Sequence, residues 1–134
     1  MRTHGTARTV RTLIGTALVA GALVAAPAAV AAKDGDIIRT GNCSGSTDWK
    51  LKAGKRDGGI ELEFEVDSNR NGQQWRVRIS DQSVLVYGAT RTTVAPSGSF
   101  SVERRIANRA GTDTIVARAR NLANGELCVG KLSI

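Results

Sequence analysis

A two-residue turn set between two strictly alternating runs constrains this chain more than anything else in it. Trp49, Leu51 and Ala53 alternate with Lys50 and Lys52, and Ile60, Leu62, Phe64 and Val66 alternate with Glu61, Glu63 and Glu65. Alternation of period two marks a strand with one buried face. Between the runs stands Arg56-Asp57-Gly58-Gly59, and Asp-Gly suits a tight hairpin because both central residues of such a turn take positive φ. Centring the turn on Asp57 and Gly58 sets Trp49 against Val66, Lys50 against Glu65, Leu51 against Phe64, Lys52 against Glu63 and Ala53 against Leu62. One face of the hairpin is then wholly apolar and the other is a ladder of opposite charges. A slip of one residue would oppose apolar to charged positions throughout, so the register is strongly specified. The three glutamates are thereby accounted for as a solvated strand face and not as an acidic active site.

The same period continues to the end of the chain, with no sustained helical period, so the class is all-β. Gln74 to Ser80 places Trp75, Val77 and Ile79 inward and Arg76 and Arg78 outward. After a turn around Asp81-Gln82-Ser83, Val84 to Thr93 follows, with Val84 and Val86 expected against Ile79 and Val77 and with Leu85 and Tyr87 on the opposite side. Ala95-Pro96-Ser97-Gly98 breaks the chain. Phe100, Val102 and Ile106 mark a strand interrupted by Glu103-Arg104-Arg105, through either a bulge or an Arg104 snorkelling from an edge. Ile115, Ala117 and Ala119 line the next strand, Asn124-Gly125 turns the chain, and Cys128, Leu132 and Ile134 form the last inner row. Seven strands after an extended lead-in, Ile37 to Cys43, predict a two-sheet β-sandwich.

The first 32 residues read as a signal peptide. Arg2, Arg8 and Arg11 precede an apolar run, Leu13 to Val24, and Ala29-Val30-Ala31-Ala32 offers small residues for cleavage. The run is shorter than the ~20 residues a membrane-spanning helix needs. Residues 33–134 are expected to form one secreted domain without a transmembrane segment. This segment would remove three of the 19 Lys and Arg and none of the 12 Asp and Glu, leaving a formal charge of +4. That charge is too mild for a nucleic-acid-binding tail, and export argues against a nucleic-acid partner. Cys43 and Cys128 would enter an oxidising compartment together, so one disulfide is expected. Free thiols fit export poorly. A metal site lacks partners, because the only histidine, His4, leaves with the signal. Without His or a spare Cys, the commonest general base and the Cys nucleophile are missing too. No Gly-rich phosphate loop, nucleophile elbow or zinc pattern occurs, so neither catalysis nor a cofactor is expected.

Lettered by order, strand A starts near Trp49, B holds Ile60, C holds Trp75, the fourth holds Val84, E holds Phe100, F holds Ile115 and G holds Leu132. Trp75 on strand C, and Asp113-Thr114-Ile115-Val116-Ala117 at the start of strand F, resemble the immunoglobulin-like superfamily, with Ile115 and Ala117 in place of its Tyr and Cys. The chain from 36 to 134 also resembles small secreted immunoglobulin-like β-sandwich proteins of actinobacteria, mostly of unassigned function, through patterns such as Trp-x-Val and Gly-Glu-x-Cys. The resemblance implies a fold and a compartment and no activity. In such folds strands A and G can start side by side in parallel, which is compatible with a Cys43–Cys128 bond.

Three places are candidates for function. Asp67-Ser68-Asn69-Arg70-Asn71-Gly72 matches the first half of a calcium loop, with Asp67, Asn69 and Asn71 as ligands, but the twelfth position is Arg78 where a bidentate Glu is needed. A polar turn is the expected outcome. If C and F are neighbours, outward Arg76 and Arg78 lie near Arg118 and Arg120 with Lys131 beside them, a basic face suited to teichoic acids, anionic lipids or acidic polysaccharides. Its alternative is an ordinary solvated face. Leu85 and Tyr87 are expected outside the sandwich near the same arginines. The functional expectation is a non-catalytic binding domain contacting anionic cell-surface polymers or an extracellular protein. The alternative is a small secreted enzyme or enzyme inhibitor using Ala95 to Ser99 or Asn108 to Thr112.

Overall fold

A computed structural model describes residues 31–134; the expected signal peptide, 1–32, lies outside the described residues except for its last two. Eight strands follow one another: β1 (Ile37–Asn42), β2 (Asp48–Arg56), β3 (Gly59–Asp67), β4 (Gln74–Asp81), β5 (Val84–Thr92), β6 (Ser99–Ala107), β7 (Thr114–Asn121) and β8 (Leu127–Ser133). They form two antiparallel four-stranded sheets, ordered β1-β2-β3-β6 and β5-β4-β7-β8. The lead-in is thus a full strand at the edge of the first sheet. Apolar residues at alternate positions fill the space between the sheets: Leu51, Phe64 and Val66 from one side, and Trp75, Ile79, Ile115 and Cys128 from the other, are fully buried.

The β2–β3 hairpin has the register its charges and turn dictate, from Trp49 opposite Val66 to Ala53 opposite Leu62. Its outer face departs from expectation. Glu63 is only 2 % exposed and Lys52 is buried with it, so the centre of the ladder is not solvated. The reason is position: Glu63 lies on an inner strand, opposite Lys52 in β2 and Glu103 in β6, where long lysine stems cover it. Lys52 Nζ stands 2.6 Å from Glu63 Oε2, while Lys50 Nζ stands 2.6 Å from Glu65 and 3.6 Å from Glu63. Burial pushes the Lys50 ammonium down, but its hydrogen bond to Glu65 and the charges of Glu63 and Glu65 outweigh this and hold its pKa above the ordinary value.

The β4–β5 hairpin corrects a second expectation. The turn is Gln82-Ser83 alone, with φ of 46° and 68°, and a bulge between Ile79 and Ser80 shifts the register beyond it. Tyr87, not Val84, therefore opposes Ile79, and Ala89, not Val86, opposes Val77. Tyr87 faces the core side, where the Arg104 guanidinium lies 4.7 Å above its ring. Leu85 alone of the pair points outward, 51 % exposed. Strand β6 pairs with β3 without a bulge, and Arg104, opposite Leu62, leaves the inner row at the open edge, as a snorkelling side chain does.

Cys43 and Cys128 form the one disulfide of the described residues. Around it Ser44 N donates to Leu127 O and Leu127 N to Ser44 Oγ, both at 2.9 Å, and Thr47 N donates to Glu126 Oε1 at 2.9 Å. The strand pairings put the starts of β2 and β8 at this end of the sandwich, and residue 37 and Ile134 at the other.

Candidate functional site

Strand alternation decides what the second sheet shows to solvent. In β4 and β7 every second residue is buried against the first sheet (Trp75, Val77, Ile79; Ile115, Ala117, Ala119), so the residues between them point out. The two strands are antiparallel neighbours, and their register sets Arg76 opposite Arg120 and Arg78 opposite Arg118. On β8, Lys131 lies opposite Val116, one outward step beyond Arg118. All five basic side chains are exposed. Like charges placed opposite each other across a ladder repel, and here two such pairs stand side by side. The arginines and Lys131 make no ion pair and no side-chain hydrogen bond among the described residues. The remaining outward positions, including Gln74, Ser80, Thr90, Thr114 and Val129, contribute no carboxylate.

A shallow groove of about 350 Å³ runs beside the arginines, lined by Arg76, Arg78, Leu85, Gly88 and Thr90. Gly88 lies opposite Arg78 and Thr90 opposite Arg76, so the groove floor is low beside one arginine and carries a hydroxyl beside the other. A second groove, about 320 Å³, crosses the other sheet. Its cations are engaged: Lys33 with Glu61 at 3.0 Å, Lys52 with Glu63, Arg105 with the carbonyls of Arg56 and Asp57, and Arg104 over the ring of Tyr87.

The loop from Asp67 to Gly72 spends its polar groups on itself and on its neighbour. Asp67 Oδ1 accepts from Asn69 N at 3.1 Å, and buried Ser68 donates to Gly98 O at 3.0 Å. Thr93 Oγ1 donates to Arg70 O at 2.5 Å and accepts from Gln73 N at 2.9 Å. Among the described residues, no group of three or more His, Cys, Asp or Glu is placed to hold a metal ion.

No family model matches this chain, and no curated protein or solved structure matches it. The basic face therefore has to be judged on its own geometry. The two loops weighed for enzyme recognition lie at opposite ends of the sandwich. The 95–99 loop, with a cis Ala95–Pro96 bond, closes on itself through Gly98 N to Val94 O at 2.9 Å. The 108–112 loop is held by Gln82 Nε2, which donates to the carbonyls of Ala110 and Thr112.

Sequence reasoning missed one titratable pair. Asp81, at the end of β4, and Asp113, just before β7, are both fully buried. Arg109 Nε lies 3.2 Å from Asp81 Oδ2, and Arg109 N donates to Asp113 Oδ1 at 3.1 Å. Burial, followed by the hydrogen bond and charge of Asp113, raises the Asp81 pKa above its ordinary value, against the opposing pull of Arg109 and the Thr114 amide. Only the topology brings these residues together, and neither carboxyl is accessible to a substrate.

Proposed function

We propose that this chain is a secreted, immunoglobulin-like, non-catalytic binding domain that docks on anionic polymers of the cell surface through Arg76, Arg78, Arg118, Arg120 and Lys131. The observation that carries the proposal is the set of five exposed cations with no carboxylate between them and no partner for any of them. An ordinary solvated face mixes both signs. A face of one sign steers polyanions and holds them by many weak contacts.

Two further observations support the rest of the reading. With β2 as strand A and β8 as strand G, the sheets read A-B-E and C′-C-F-G with β1 added outside A, an order compatible with an immunoglobulin-like sandwich. The disulfide is consistent with an extracellular protein. Among the described residues no helix is long and apolar enough to cross a membrane.

Retention on purified cell wall tests the proposal. The protein should bind at low salt, elute as salt is raised, and lose retention when the four arginines are changed to Ser. Equal elution of wild type and the four-serine variant would overturn it.

A further inference from the structure

Building on that reading, we infer that the ligand is a linear glycerol-phosphate polymer running along β4 and β7 past Arg76/Arg120 and Arg78/Arg118 and on to Lys131 of β8. The face is ordered as well as basic. Arg76 opposes Arg120, and two residues further along the ladder Arg78 opposes Arg118. A further outward step reaches the row of Ser80, Val116 and Lys131. Same-face residues of a strand repeat every ~6.7 Å, and opposed Cα atoms stand ~5 Å apart. The surface thus presents two arginine pairs in line, one same-face step apart, and a lysine in the next row on the neighbouring strand β8, from which its long flexible stem can reach back toward that line.

Guanidinium forks match the tetrahedral oxygens of a phosphate, and two forks ~5 Å apart can share one phosphate from either side. Along the line, the ligand must repeat its charge at the strand's own step. Phosphates separated by a three-carbon glycerol unit stand roughly 7 Å apart in an extended chain, which matches. Uronic-acid polymers carry their carboxylates closer together, one per sugar ring, and fall out of step. The groove along Leu85, Gly88 and Thr90 leaves room beside the two arginine pairs for substituents on the glycerol unit, with the Thr90 hydroxyl to receive them.

The test uses synthetic glycerol-phosphate oligomers with one, two, three and six phosphates, titrated calorimetrically at low salt into wild type and single Ser variants. Affinity should rise about fivefold or more for each phosphate up to the third, then level off. Lys131→Ser should abolish the gain from two to three phosphates and weaken the two-phosphate oligomer far less than Arg78→Ser does. Arg78→Ser should weaken both. These side chains touch no partner, so the variants should fold, and unchanged far-ultraviolet circular dichroism would establish that. Affinity that follows total charge without a step at three, or equal binding of polygalacturonate at matched charge, would overturn the phosphodiester register while leaving the basic docking face intact. Tighter binding of single-stranded DNA at matched charge would overturn it in favour of a nucleic acid. Failure of every polyanion to bind would overturn the docking face as well.

Discussion

Asp81 is a carboxyl group fully buried beside a second buried carboxyl group, with one guanidinium for the two. Its raised pKa means that the folded state holds the proton more tightly than the unfolded chain does. The contribution of Asp81 to folding is therefore most favourable at low pH, where both states are protonated. Stability falls as the pH climbs from the ordinary carboxylate value through the raised one, and the cost is complete above it. Asp81→Asn keeps the shape and can still pair with Asp113 without the charge. We expect this variant to melt above wild type at pH 7 and the difference to vanish near pH 4, as followed by thermal unfolding. A variant that melts lower than wild type at pH 7 would show that the ion pair with Arg109 outweighs the repulsion from Asp113.

The β3–β4 and β5–β6 connections behave as one element, because Ser68, Thr93 and Gly98 fasten them together. Gly98 has φ of 72°, and a Cβ there would strike the backbone of Asn69 and Arg70. Gly111 has φ of 83° with open space around it. Gly98→Ala should therefore cost about 3 kcal/mol or more, from clash and strain together, and Gly111→Ala about 1 kcal/mol from strain alone. Denaturant melts of the two variants measure the difference. How far such elements can be foreseen depends on what fixes them. The β2–β3 register follows from local facts, an Asp-Gly turn and two charge patterns that match in only one alignment. Opposition of Arg76 and Arg78 to Arg118 and Arg120 follows from the same alternation once β4 and β7 are neighbours. The β4–β5 pairing does not yield to such reasoning, since Gln82-Ser83 takes positive φ without a glycine to announce it and the bulge moves Tyr87 to the other face. Burial of Glu63 and the meeting of Asp81 with Asp113 are set by tertiary neighbours, and no local pattern carries them.

Across the whole molecule, charge is divided between the two outer faces. The β5-β4-β7-β8 sheet shows five cations and no carboxylate on its outer face, whereas the outward rows of β2, β3 and β6 intersperse Lys50, Lys52, Arg56 and Arg105 with Asp48, Glu61, Glu63, Glu65, Asp67 and Glu103. In the docking proposed above, a domain so divided meets the polyanion with one face and turns the other away, so it should lie flat on the polymer and not bridge two strands of it. A protein held to a surface is also pulled upon, and here the disulfide has a mechanical meaning. Residue 37 and Ile134 are at one end of the sandwich and Cys43–Cys128 is at the other, so force applied at residues 37 and 134 opens β1 and β8 from the far end like a zipper. The cross-link is the stop of that zipper. Residues 44–127, between the two cysteines, are shielded from the load, and in a single-molecule stretching experiment with handles at residues 37 and 134 only the segments from each handle to its cysteine should extend. Adding a reductant should release a further ~290 Å of contour, at ~3.4 Å for each residue freed, so that the redox state of one bond sets how far this domain yields before it lets go.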